Sequence, residues 1–396
     1  MSNKEKILMV MPVMKGGGAE RVASLLLNEF NRNGYDCEFL LTSSKKEECI
    51  NRDLNADIPI TSVYGNKKSL IFKVLEIISS VLCKPFELLG LSVPACFAYI
   101  SFVSQYHAEI KALRNKLKNE PETKVISFLQ PSVPIALISA KNLPNRVVIS
   151  ERGDPKRLLK KRYGYNFIKK YYQRADAVVF QTNDAKAAYP DNISSKGTVI
   201  FNPINDKLPE PYHGEREKYI TTFCRISRQK NLPVLVQAFA DFHKEFSDYR
   251  LKIIGEPQND DDRAHLAEAK ELAEKLFIMD FIDFMLFSSE VHNLIIHDAM
   301  YVNSSDYEGM SNAMLEAMAI GMPVVCTDCP IGGANAVIEN GRNGMLTKVG
   351  DPDDFANAII KILSNKKLAE SLSLNAAKIR DELSLENISQ KWMELF

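Results

Sequence analysis

Short apolar runs alternate with amphipathic stretches along most of the chain, and the alternation breaks once. The runs Ile7–Val13, Cys37–Thr42, Ile60–Tyr64, Lys124–Leu129, Arg146–Ser150, Ala177–Thr182 and Thr198–Asn202 have strand length. Helical spacing lies between most of them, beginning with Glu20–Asn33. The pattern stops at Asn202-Pro203-Ile204-Asn205, and the polar, proline-containing stretch 206–218 reads as a linker. It restarts with Tyr219–Arg225, Arg250–Gly255, Phe281–Met285, Met300–Ser304, Pro323–Thr327 and Met345–Val349, separated by helices such as Leu232–Phe246 and Ala264–Phe277. Strands alternating with helices in this way imply parallel sheets covered on both faces. Two doubly wound domains are therefore expected, 1–205 and 219–383, with a ligand cleft between them at the carboxyl ends of the strands. The tail reads as helical over Asp353–Ser364, Lys367–Leu383 and Glu386–Phe396.

Composition narrows the function. At 396 residues each domain can bury its own core. Lysine plus arginine equals aspartate plus glutamate, 50 each, so no global charge draws the chain to nucleic acid. Seven scattered cysteines do not form a secreted disulfide framework. Met1–Lys6 lacks a signal-peptide core, so a cytoplasmic location is the expectation. Cys326-Thr327-Asp328-Cys329 has no second pair, and the six histidines show no metal-ligand spacing, so no metal is expected.

The chemistry concentrates between the runs Met300–Ser304 and Pro323–Thr327. Glu308 and Glu316 sit eight positions apart around a polar turn, Gly309-Met310-Ser311-Asn312-Ala313, that opens a helix. A helix N-terminus presents unpaired N–H groups and a positive dipole end, which suits a phosphate. Ser311 or Asn312 is a natural cap there. Glu316, about a turn into the helix, can reach a ribose or sugar hydroxyl, and Glu308 faces the far end of the ligand. This combination is what a nucleotide-sugar site requires.

The stretch Glu308–Val325 resembles the E-x7-E signature of retaining family 4 glycosyltransferases of the GT-B fold. The similarity continues through Cys329-Pro330-Ile331-Gly332-Gly333, Asn340-Gly341-Arg342-Asn343-Gly344 and Gly350-Asp351-Pro352. The resemblance implies two Rossmann-like domains facing a central cleft, with the last helix, 384–396, crossing back to the first domain. Four further segments fit it. Pro12–Val22 carries Gly16, Gly17 and Gly18 and is similar to the G-G-x-E-R loop of polysaccharide-assembling members, where the backbone would approach the donor phosphates. Phe223–Asn231 resembles G-R-x-x-x-x-K, with Cys224 in place of the glycine; Arg225 and Lys230 would neutralise a diphosphate, with Arg228 facing solvent. Ser150–Pro155 is similar to S-E-R-x-D-P, which makes Arg152 a candidate for the transferred sugar and Glu151 and Asp154 candidates for the acceptor; capping of a helix by Asp154 is an equal alternative. Phe180–Thr182, Tyr189-Pro190 and Asn202-Pro203 fit the same subgroup in packing and hinge roles. A departure stands at Phe284-Met285-Leu286-Phe287, where a glycine is usual before the base pocket.

Ser69–Glu109 is rich in apolar residues, yet Lys73, Glu76, Lys84, Pro85 and Glu87 interrupt every run short of a bilayer span. It reads either as extra helices covering the first sheet or as a patch docking on a membrane surface, with Lys67, Lys68, Lys73 and Lys84 beside it.

The reading is a GT-B glycosyltransferase moving a sugar, with retention, from a nucleoside diphosphate sugar (a UDP-sugar by expectation) to a hydroxyl. The subgroup implies a capsule, exopolysaccharide or O-antigen glycan on a polyprenyl diphosphate carrier, built at the inner membrane face. In that family the departing phosphate takes the acceptor proton, so the donor is a co-substrate and no cofactor or metal is expected. Another GT-B sugar-nucleotide chemistry, or a non-catalytic partner of the same fold, are the alternatives.

Overall fold

The computed structural model describes residues 5–51, 53–65 and 70–396. Lys67, Lys68 and Ser69 of the apolar segment, and Met1–Lys4 at the start, lie outside them. The chain divides into two compact units, Met1–Pro203 with Leu385–Phe396, and Ile204–Ser384.

The first unit holds a seven-stranded parallel sheet in the order β3-β2-β1-β4-β5-β6-β7. Its strands are β1 Lys6–Met11, β2 Asp36–Leu41, β3 Ile60–Ser62, β4 Lys124–Phe128, β5 Val147–Ser150, β6 Ala177–Phe180 and β7 Gly197–Val199. Helices α1 (Gly18–Arg32), α2 (Leu70–Leu88), α3 (Ala95–Gln105), α4 (His107–Asn119) and α5 (Ser132–Ser139) lie between the early strands. The later ones are α6 (Pro155–Leu159), α7 (Tyr165–Tyr171), α8 (Asn183–Ala187) and α9 (Asp191–Ser194). Residues Ile7–Met11 are 0% exposed, as a strand covered on both faces must be. Of the helices in the apolar segment, α3 buries Ala98 and Phe102 in this core, whereas α2 buries only Ser79 and Cys83.

The second unit holds a six-stranded parallel sheet in the order β10-β9-β8-β11-β12-β13. Its strands are β8 Glu217–Phe223, β9 Arg250–Ile254, β10 Ile282–Met285, β11 Asp298–Asn303, β12 Val324–Thr327 and β13 Met345–Thr347. Helices α10 (Leu232–His243), α11 (Asp260–Lys275), α12 (Val291–Ile295), α13 (Asn312–Ala319) and α14 (Gly333–Val337) connect them. The unit continues with α15 (Pro352–Leu363), α16 (Lys366–Ala377) and α17 (Ile379–Glu382).

All thirteen strand-length runs form strands, and two local expectations need correction. The stretch expected as a linker is packed into the second unit. Arg216 donates to the carbonyls of Tyr212, Gly321, Ile296 and Asp298, and β8 begins one residue later. Arg216 thereby satisfies four carbonyls of the unit, while Asp206, Lys207, Glu210 and Glu215 stay exposed. The single helix expected over Lys367–Leu383 is broken at Lys378 into α16 and α17. The last helix, α18 (Leu385–Met393), belongs to the first unit, where it packs on α1 and sets Trp392 against Phe128.

In each sheet the strand order reverses once, between β1 and β4 and between β8 and β11. In open parallel sheets ligands bind outside the carboxyl ends at that reversal.

Candidate functional site

The loops after β8 and β11, at the reversal of the second sheet, carry two of the expected site residues, Lys230 and Glu308. Lys230 and Glu308 form an ion pair with side chains 14% and 18% exposed. Several bonds hold the two loops together. Asp306 N–H donates to Gln229 O (2.9 Å), Ser304 Oγ to Lys230 O (2.8 Å) and Asn231 Nδ2 to Asp306 Oδ1 (2.6 Å). Asn231 sits at φ 44°, a left-handed conformation that asparagine tolerates. Glu308 also accepts from Gln229 Nε2 (3.2 Å) and Ser305 Oγ (3.1 Å). Burial by itself would lower the Lys230 ammonium, but the Glu308 carboxylate outweighs it and holds the pKa above the usual lysine value. The site thus keeps a fixed cation beside a fixed anion with little water between them.

Gly309 leads into α13, whose cap is Ser311: its Oγ accepts from Met314 N–H (3.3 Å). Met310 and Ser311 are buried, while Gly309, Asn312 and Ala313 are half-buried at the helix start. The loop before α14 crosses close above them. Gly333 N–H donates to Gly309 O (3.0 Å), and a Cβ at Gly333 would lie 2.3 Å from that same oxygen. Glycine is required there by space, and the Gly332-Gly333 pair thereby fixes the height of the turn.

Glu316, 4% exposed, points from α13 to His292 of α12, whose Nε2 lies 2.8 Å from Glu316 Oε2. The imidazole packs edge-on against Phe223, centroids 5.6 Å apart. His292 has no metal-ligand spacing, and its pairing with Glu316 across 24 positions carries no local sequence signal. Arg225, after β8, is exposed and has no hydrogen bond or ion pair among the described residues. Arg228 is exposed and paired with Asp261 (2.7 Å) and Glu268 (2.8 Å). Burial pushes the Cys224 thiol up and raises that of Cys329 to about 11, and both Cys326 and Cys329 are free and buried. Beyond β10, Leu286 and Phe287 are 75% and 47% exposed, where the family's glycine is absent.

In the first unit, Gly16, Gly17 and Gly18 form the β1–α1 turn, with Gly16 at φ 79°. The N–H groups of Lys15 and Gly17 donate to the Glu20 carboxylate, the glutamate half of a capping box, since the cap residue Gly17 has no side chain to complete it. Of the three glycines expected beside phosphate, Gly17 therefore gives its N–H to the chain's own anion. Arg152 follows β5. Its Nη2 donates to Asn202 Oδ1, its guanidinium lies 4.7 Å from the Phe128 ring centre, and its Nη1 is buried without a hydrogen-bond partner. Burial pulls its pKa down to about 9. Glu151 is buried and accepts from Tyr172 Oη (2.6 Å); burial, opposed by that bond, lifts its carboxyl to about 7. Asp154 caps α6 by accepting from Lys156 N–H (2.8 Å). Among the described residues no group of three or more His, Cys, Asp or Glu side chains could hold a metal ion.

Residues 205–379 match the family Glycosyl transferases group 1. The match lies within the second unit and spans under half of the chain; together with the glycosyltransferases it resembles, it marks the chain as a transferase enzyme. Over its whole length this glycosyltransferase is 23% identical to an uncharacterized glycosyltransferase of Haemophilus influenzae, covering 97% of each chain. It is 24% identical, over 65% of its own length and 71% of the relative's, to a Campylobacter jejuni enzyme. That enzyme is N-acetylgalactosamine-N,N'-diacetylbacillosaminyl-diphospho-undecaprenol 4-alpha-N-acetylgalactosaminyltransferase. Among solved structures, Anabaena HepE in complex with UDP-glucose superposes with a TM-score of 0.73 at 17% identity, covering 98% of both chains. The fold is GT-B: two Rossmann-like parallel-sheet domains.

Proposed function

We propose that this glycosyltransferase moves a sugar from a nucleoside diphosphate sugar, with retention of anomeric configuration, to a hydroxyl of a lipid-linked bacterial surface glycan. The observation that carries the reading is the Lys230–Glu308 pair beside the N-terminus of α13, at the reversal of the second sheet. Lys230, Arg225 and the N–H groups at Asn312 and Ala313 would take the negative charge of the leaving diphosphate. Glu308 would then exchange its lysine partner for sugar hydroxyls, and Glu316, steadied by His292, would hold the ribose. Front-face attack follows, with the departing phosphate oxygen taking the acceptor proton and no metal needed. HepE with bound UDP-glucose and the diphospho-undecaprenol specificity in the Campylobacter enzyme's name support this choice of donor and acceptor class. Arg152 and Glu151, after β5, are the proposed contacts of the first unit; Asp154 is assigned to its helix cap.

The test is calorimetry of purified protein against UDP, GDP, ADP, CMP and their sugar conjugates, with and without EDTA, alongside turnover. One nucleoside diphosphate should bind whether or not EDTA is present. Glu308→Ala should keep nucleotide binding and lose turnover; normal transfer by that variant would sink the assignment.

A further inference from the structure

More than half of the large exposed apolar side chains among the described residues fall between Leu70 and Leu91. On α2, Leu70 (76%), Ile71 (69%), Ile77 (66%), Val81 (62%) and Leu88 (84%) are open, while Ser79 and Cys83 are the buried positions. At 3.6 residues per turn Leu70, Ile77, Val81 and Leu88 lie opposite Ser79 and Cys83, with Ile71 on the flank. The helix is thus apolar on both sides: Phe72, Cys83 and Phe86 face inward, and its solvent side is aliphatic as well. Patches of this extent mark interaction surfaces. The helix is pinned to its unit by the stacking of Phe72 on His107, centroids 3.5 Å apart, and by the Glu87–Arg162 ion pair. Its exposed face is therefore a fixed feature of the fold.

We infer that the outer face of α2 docks flat on a bilayer containing anionic lipid. Two observations select this occupant over a second protein. The stripe is Leu, Ile and Val with no aromatic, arginine or hydrogen-bonding side chain at its centre, unlike the core of a protein interface. Its charge is complementary to acidic headgroups: Lys73 and Lys84, both exposed and three turns apart, line one border, whereas Glu87 is paired with Arg162. No described helix is long and apolar enough to cross a membrane, so the contact is interfacial. The proposal rests on the lipid-linked acceptor reading for its purpose, because it brings the enzyme to the surface where such an acceptor lies.

The experiment is flotation of the full chain with phosphatidylcholine vesicles, with and without phosphatidylglycerol, comparing wild type, Ile77→Asp/Val81→Asp and Lys73→Ala/Lys84→Ala. Wild type should float with the mixed vesicles. The aspartate variant should stay in the bottom fraction with an unchanged Tm, and each lysine removed should weaken binding roughly five-fold. The proposal is overturned if wild type does not float, or if the aspartate variant floats as well as wild type. It is equally overturned if light scattering shows that variant splitting a dimer while wild type ignores vesicles, since a second copy would then cover the face. Nucleotide binding is measured on the same samples. Its absence would remove the donor reading without touching the flotation result.

Discussion

His292 Nε2 lies 2.8 Å from Glu316 Oε2, a buried imidazole against a buried carboxylate on the next helix but one strand. The pair fixes which way Glu316 points before any ligand arrives. Hydrogen bonds to charged groups contribute about 1.5–3 kcal/mol. His292→Ala should therefore weaken nucleotide binding by roughly ten- to a hundred-fold, raising KM for the donor while kcat changes little. Calorimetry with steady-state kinetics checks this; an equal fall in kcat would mean His292 acts on the reaction itself.

Lys230 and Glu308 should behave as one unit. Lys230→Ala leaves a half-buried carboxylate without its cation, and Glu308→Ala does the reverse. A cycle of the two single variants and the double variant, read by thermal denaturation, should show coupling of about 1 kcal/mol or more. Additive effects would mean the pair is incidental to the fold.

Glu151 should make stability depend on pH. Its folded carboxyl is lifted to about 7 from an ordinary value near 4.5, by burial. Between those values the folded chain holds a proton that the unfolded chain releases, so stability falls as pH rises through the window and levels above it. The size is on the order of 3 kcal/mol. Glu151→Gln should flatten this part of the profile, so that the variant gains on wild type between about pH 4.5 and about pH 7 in urea denaturation.

Gly333→Ala should push the turn at Gly309 away, because the new Cβ would meet Gly309 O at 2.3 Å. Overpacking of this kind costs about 1–3 kcal/mol. A lower Tm accompanied by weaker nucleotide binding is expected, whereas Gly341→Ala, remote from any neighbour, should show only the cost of its positive φ.

The fold was legible wherever burial on both faces produced uninterrupted apolar runs, as in Ile7–Met11 and Val147–Ser150. Lys230 and Glu308 were legible too, since each follows a strand and their loops emerge at the same sheet end. Three features were hidden for different reasons. The meeting of His292 with Glu316 joins two helices across 24 positions, which no local spacing reveals. The packing of 206–218 depends on Arg216 finding four carbonyls that composition does not show. The capture of the Gly16–Gly18 turn by Glu20 could have been read, because a glutamate three residues after a helix cap is the signature of that motif.

The terminal helix has a practical consequence. Trp392 is the chain's one tryptophan, 1% exposed, with its ring 5.4 Å from Phe128, and Phe128 is the ring on which Arg152 rests. The protein therefore carries a built-in optical probe one side chain away from the proposed sugar contact of its first unit. Emission excited at the red edge of the indole band reports on that corner of the first unit without labels.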